Sequence, residues 1–273
     1  MANLRILAEN LWDQAELTAS SQAMPVDYTQ RSERPFVWRS TSAQSQTLTA
    51  TLPAAAYLDC IALARHNLGG LGLWRIELLL ADQVVYDSST VSTGMLIPAG
   101  VFRAGIDAWG ATYNDRLPNT SSLGIHWLPG PLAADTFRLT LMSEGVDYLE
   151  VGRVFAGLSW SPQYNLNWSP QVEWQEDAEH AMTEGGSLRT VGSGRLRRHF
   201  ALQLDWLNAS DRQMLVTDLA RMGMRADLLV ALYPDEEGLN ALEHTMVCRR
   251  DATISHTHNM LRNWQTSLSF LEV

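Results

Sequence analysis

Short stretches in which apolar and polar residues alternate recur along most of the chain, and a period of two marks half-buried β-strands. Trp74, Ile76, Leu78 and Leu80 alternate with Arg75, Glu77 and Leu79, and Phe137, Leu139 and Leu141 alternate with Arg138 and Thr140. From Leu4 to about Phe155 this pattern, broken by turn residues, predicts a sandwich of antiparallel strands. Residues 82–134 carry Gly94, Pro98, Gly100, Gly105, Gly110, Pro118, Gly124, Pro129, Gly130 and Pro131. That density predicts a loop-dominated section with brief strands, a place for variable contacts.

The pattern changes around residues 157–170, where the pairs Ser161-Pro162 and Ser169-Pro170 interrupt any regular ladder. Beyond it, Phe200, Leu202, Leu204 and Trp206 share one parity, as do Trp264, Leu268 and Phe270, so both segments predict strands facing a core. One helix is expected between them. Ser210 and Gln213 fit a capping box, Asp211 suits the positive end, Leu215, Leu219 and Met222 share a face, and Gly223 closes it. The run DLLVALYP then reads as a buried strand ended by Pro234. The expected fold class is mainly β. Residues 1–157 form an N-terminal jelly-roll β-sandwich, followed over 158–273 by a smaller α+β unit, strand-rich with one helix. No fixed-period repeat marks a solenoid or propeller.

Composition narrows the chemistry. With 273 residues, 46% of them hydrophobic and 18% charged, the chain can bury two cores. All 20 basic residues are arginine, which removes Schiff-base, P-loop and general-base lysines. A formal charge of −10 disfavours a dedicated nucleic-acid binder and suits a wall past which DNA moves without adhering. Cys60 and Cys248 form no CxxC pair and read as small buried hydrophobes. The first residues show no basic then apolar leader, and no apolar run approaches the ~20 residues a spanning helix needs, so a soluble chain is expected.

The candidate chemistry is sparse. His256 and His258 form an i, i+2 pair, with His244 upstream, as a weak zinc candidate set against a solvated hairpin loop. The glycines of VGSGRL have neither nucleophile-elbow nor dinucleotide spacing. No motif marks a carboxylate pair for glycoside cleavage. The expectation is therefore no enzyme, no cofactor and no metal. Arg195, Arg197 and Arg198 form the densest basic cluster. They are candidates for charge pairing between subunits, or for local pairing with Glu173, Glu176, Asp177 and Glu179. Among ten tryptophans, Trp109 and Trp127 lie with Tyr113 in the loop-rich section. These three are candidates for core, protein interface or sugar stacking.

Residues Trp38-Arg39-Ser40, the His66-Asn67-Leu68 turn, the strand GRVFAG and the closing RNWQTSLSFLEV together resemble the distal-tail or tail-tip (baseplate) proteins of long-tailed bacteriophages. The N-terminal part is similar to their discoidin-like jelly-roll modules. In that family the ring-forming domain usually comes first, whereas here the jelly roll does. The resemblance implies a structural virion protein, a trimeric or hexameric ring joining the tail tube to the baseplate hub. Its partners would be itself, the tail tube protein and the hub protein, with DNA passing nearby. It would be assembled in the host cytoplasm and located at the virion tail tip. The alternative is a carbohydrate-binding protein that recognises host-surface glycan through the jelly roll.

Overall fold

A computed structural model describes residues 3–117, 120–167 and 170–273. Pro118 and Ser169, singled out above, lie outside the described residues. Strand β1 (Arg5–Leu7) comes first. Seven strands then form one sheet: β2 (Glu16–Ala19), β3 (Trp38–Arg39), β4 (Gln46–His66), β5 (Leu73–Leu80), β6 (Gln83–Ser92), β7 (Leu123–Met142) and β8 (Glu150–Gly157). Six more follow: β9 (Gln171–Met182), β10 (Leu188–Leu207), β11 (Leu228–Ala231), β12 (Thr245–Arg250), β13 (His256–Met260) and β14 (Asn263–Glu272). All pairings between these strands are antiparallel. The mainly β architecture read from the alternation is what forms.

In the first sheet the order is β3-β8-β4-β7-β5-β6, with β2 also paired to β4. The long strands β4 and β7 curl the sheet over its own core. The first half of β4 pairs with β2 and the end of β7, while its second half pairs with β8 and the start of β7. Between the halves the register shifts at Thr51/Ala56 and Leu58/Cys60. Trp12, Trp38, Trp74, Ile76, Leu78, Phe137, Leu139 and Leu141 fill the inside, all fully buried, as their alternation requires. The loop expectation for 82–134 needs correction, because β6 and β7 are both long. β7 runs straight through Pro129, Gly130 and Pro131. Those residues fall where the ladder with β4 is already interrupted, so the missing proline N–H groups cost no pairing there.

The second sheet runs β1-β11-β12-β14-β10-β9, with β13 also paired to β14. Here the chain division departs from 1–157 and 158–273, since Arg5, Ile6 and Leu7 pair with Ala231, Val230 and Leu229. Ile6 also exchanges two backbone hydrogen bonds with Trp160, at 2.9 and 2.8 Å. Leu4 and Ile6 bury with Phe200, Leu202, Leu204 and Phe270, which gives the segment its reason to stay there. The two sheets meet through Leu7, Cys60, Ala62, Ala64, Leu123, Phe155 and Leu229. Cys60 and Cys248 are both buried and free, and burial pushes both thiols well up.

Three details of the second unit differ from the pattern, the first being a second helix, Gly238–His244, between β11 and β12 where one helix was expected in all. A register shift between Leu204 and Leu207 turns Leu207 inward and leaves Trp206 exposed, although Trp206 shares parity with the core residues before it. The helix is capped by Asn208, whose side chain accepts from Asp211 N at 2.7 Å, rather than by Ser210. This helix (Ala209–Met214) continues as a wider π-helical turn, Leu215–Ala220. It packs Leu215 and Leu219 on the sheet but leaves Met222 partly exposed, and Gly223 follows with φ +75°.

Candidate functional site

Residues 93–117 form a loop platform at the end of the first sheet, and its internal bonds explain how an irregular segment holds a shape. Ile97 N donates to Ala111 O at 3.1 Å and Tyr113 N to Met95 O at 3.0 Å, tying the loop base. Thr112 and Asp115 form a reciprocal cap on the short helix Tyr113–Arg116. The two Asp107 oxygens accept from Arg116 Nε at 3.1 Å and Nη2 at 2.5 Å, while Arg103 N donates to Asp107 at 2.6 Å. These bonds, Arg116 first, hold the Asp107 carboxyl well below the usual carboxylate range. Gly124 lets β7 touch the platform, because a Cβ there would lie 2.2 Å from Thr93 O.

On this platform Trp109 is 86% exposed, with its ring stacked on Phe102 at 5.4 Å between centroids. Two adjoining recesses, of about 710 and 600 Å³, lie beside it and share Gly70, Leu71 and Glu144. Ile106, Asp107 and Ala108 line one recess and Gly110 the other, so the segment carrying Trp109 forms their rim. Trp109 itself lines neither recess; Leu71 gives both an apolar patch, and Arg103, Asp107, Arg116 and Glu144 give them polar walls, so an open aromatic face stands next to a concave polar surface. Arg103, Arg116 and Glu144 belong to these walls and were not singled out from sequence, because no local motif gathers them.

The three aromatics proposed together do not come together. Tyr113 is buried with Ile97, Ala111 and Leu242, cementing the platform to the second unit. Trp127 is half-buried at the junction of the sheets, under the Arg5 guanidinium at 4.7 Å. Only Trp109 of this set presents an open ring face.

The arginine cluster also divides. Arg198 is fully buried and pairs within the chain with Glu272, which corrects its assignment to a subunit contact. Arg195 donates to Ser121 Oγ at 3.2 Å and to Val273 O at 2.8 Å, while Arg197 lies 3.8 Å from Asp177. The histidines are separately engaged. His244 bonds Glu236 at 2.7 Å and His258 stacks on Trp264, and among the described residues no group of three His, Cys, Asp or Glu side chains is placed to hold a metal.

A second feature lies far from the platform in character. Beyond the core, β9 and β10 continue as a two-stranded ribbon to the turn Thr183–Ser187, exposing Met182, Leu188 and Val191. At its root the ladder breaks between Gly192 and Leu196. Gly192 sits at φ +155° with Asp177 O only 2.0 Å from where a Cβ would be, so the bend depends on glycine. The β13–β14 hairpin similarly exposes Met260 and Leu261. Such ribbons are marginal alone in water and present free edges for pairing.

No family model matches the sequence, and no curated protein matches it. Among solved structures the chain is similar to a family 32 carbohydrate-binding module of NanJ from Clostridium perfringens in complex with galactose. The identity is 12% over 56% of this chain and 98% of that one, with a TM-score of 0.38. It is also similar to chitosan-binding module 1 of a chitosanase/glucanase from Paenibacillus sp. IK-5 (11% identity, 54% of this chain, 98% of that one, TM-score 0.36). A third is a family 29 fucosidase from Ruminococcus gnavus in complex with fucose (9% identity, 56% of this chain, 27% of that one, TM-score 0.37).

Proposed function

We propose that the protein is a non-catalytic carbohydrate-binding protein that recognises a surface glycan through the loop platform of its first unit. The observation that carries this is Trp109, an exposed ring stacked on Phe102 in the segment beside a double recess. Sugar rings stack their C–H faces on such surfaces, and the recess walls supply donors and acceptors for hydroxyls. Titration of the intact protein with galactose, N-acetylgalactosaminyl-galactose and chitosan oligosaccharides, followed by tryptophan fluorescence, tests it. Binding that disappears in Trp109→Ala is expected. Absence of binding to a broad glycan panel, or full binding by Trp109→Ala, overturns it.

A second reading is favoured by the β9–β10 ribbon: a structural virion protein of the phage tail tip, whose copies close into a ring between tail tube and baseplate hub. A closed ring buries strand edges and apolar ribbon residues such as Met182, Leu188 and Val191 that are exposed on the single chain. The acidic balance would keep a DNA path non-adhesive. Light scattering, alone and with candidate tube and hub proteins, separates the two. A trimer or hexamer supports assembly, and a persistent monomer that ignores those partners sinks it.

A further inference from the structure

The net charge of −10 makes any local excess of cations conspicuous, and one exists where the two units meet. An open groove of about 430 Å³ is lined by Arg34 and Arg65 from the first unit and Arg195 from the root of the ribbon, with His66, Asn67 and Ser121 beside them. Among the described residues, no Asp or Glu side chain is in direct ion-pair contact with these three arginines, although the charge of Glu272 reaches Arg34 and that of Asp227 reaches Arg65. Arg34 donates to Ser121 Oγ at 3.3 Å and Val273 O at 3.0 Å, and Arg195 donates to the same two atoms. Arg65 donates to Ser32 O at 3.1 Å and Gly152 O at 3.3 Å. Glu150 also lines the groove, but Arg39 holds it at 2.7 Å.

The groove is built at a structural cost. Arg65 has φ +58°, in the left-handed region that disfavours side chains, and Gly152 makes room for it, since a Cβ there would lie 2.9 Å from Arg65 Cβ. Burial, and next the charge of Arg34, lower Arg65 to about 10. Crowded guanidiniums of this kind are relieved by an anion.

We propose that this groove binds a phosphate-class oxyanion, held by Arg34, Arg65 and Arg195. Guanidinium forks match the oxygens of such a group and remain charged at any working pH. The phosphate is either free or carried on a sugar or polyol polymer. Because Arg195 belongs to the ribbon root and Arg34 and Arg65 to the sandwich, a bound anion ties the ribbon to the first unit. The site shares no lining residue with the Trp109 recesses, so it stands or falls independently of glycan recognition there.

Calorimetric titration of the intact protein in low salt with inorganic phosphate, glucose 6-phosphate and glucose tests the proposal. Both phosphates are expected to bind and glucose is not. Tighter binding of glucose 6-phosphate points to a polymer-borne group, and tighter inorganic phosphate to the free ion. The exposed Arg34→Gln is expected to weaken phosphate binding about tenfold, and Arg34→Gln with Arg195→Gln about a hundredfold, as loss of charged hydrogen bonds implies. Melting curves without ligand establish that each variant is folded, and Arg34→Gln alone decides if the double variant is not. Absence of phosphate binding at millimolar concentration, equal binding of glucose, or unchanged affinity in a folded variant overturns the proposal.

Discussion

The Arg198 guanidinium and the Glu272 carboxylate meet in two hydrogen bonds, Nη2 to Oε1 at 2.6 Å and Nε to Oε2 at 3.0 Å, with both side chains essentially out of water. Arg198 Nη1 also donates to the carbonyls of Leu242 and Thr245, so one side chain fastens strand β10 to β14 and to the end of the helix Gly238–His244. Removing one partner strands a buried charge. Glu272→Gln is therefore expected to cost about 3 kcal/mol in urea unfolding, against a near-neutral Arg197→Gln at the exposed neighbour. Equal effects would mean that the buried pair does not hold the sheet.

Trp109 touches Phe102 and little else of the core. Trp109→Ala should change unfolding free energy by no more than about 0.5 kcal/mol, while Tyr113→Ala, which empties the contact with Leu242, should cost about 3 kcal/mol. Thermal or urea melts of the two variants read this directly. A large loss in Trp109→Ala would make the ring a packing residue instead of a binding surface.

His66 gives the molecule a pH response. Burial lowers its pKa from 6.5 to about 4, so between these values the unfolded chain binds the proton that the folded chain refuses. Stability is consequently complete above about pH 6.5 and falls as pH drops toward 4, by about 3 kcal/mol once both states are protonated. His66→Gln should flatten the curve over that window. An unchanged slope in the variant would assign the acid response to other groups.

Exposed apolar residues on the ribbon predict association through it. Leu188→Glu with Val191→Glu leaves both cores intact, so the melting midpoint should hold while any concentration-dependent increase in mass by light scattering disappears. Persistence of the oligomer in this variant would move the contact elsewhere, with the β13–β14 turn at Leu261 the next place to substitute.

Strand existence was legible because burial on one face writes itself as alternation, and Trp74, Ile76 and Leu78 or Phe137, Leu139 and Leu141 carry that record. What stayed hidden depended on partners. The bulge before Leu207 is set by Trp264 and Thr266 on the neighbouring strand, so Trp206 carried the parity of the core without its position. Arg198 read as part of a surface cluster because nothing local announces a carboxylate in a distant strand. The same holds for the site. Trp109 was visible as an aromatic in a loop, whereas Arg34, Arg65 and Arg195 converge only after both sheets have formed.

Because Arg5–Leu7 completes the edge of the second sheet, the two halves of the molecule cannot be exchanged as cassettes. A fragment beginning after the sandwich would lack the strand that covers β11 and would expose Leu229 and Val230 at an open edge. Completing the second sheet joins a segment near one end of the sequence to one more than 220 residues on, a contact of long range that raises the contact order of the fold. Fusing residues 3–8 through a flexible tether to the end of the second unit would restore that edge and allow the unit to be produced alone.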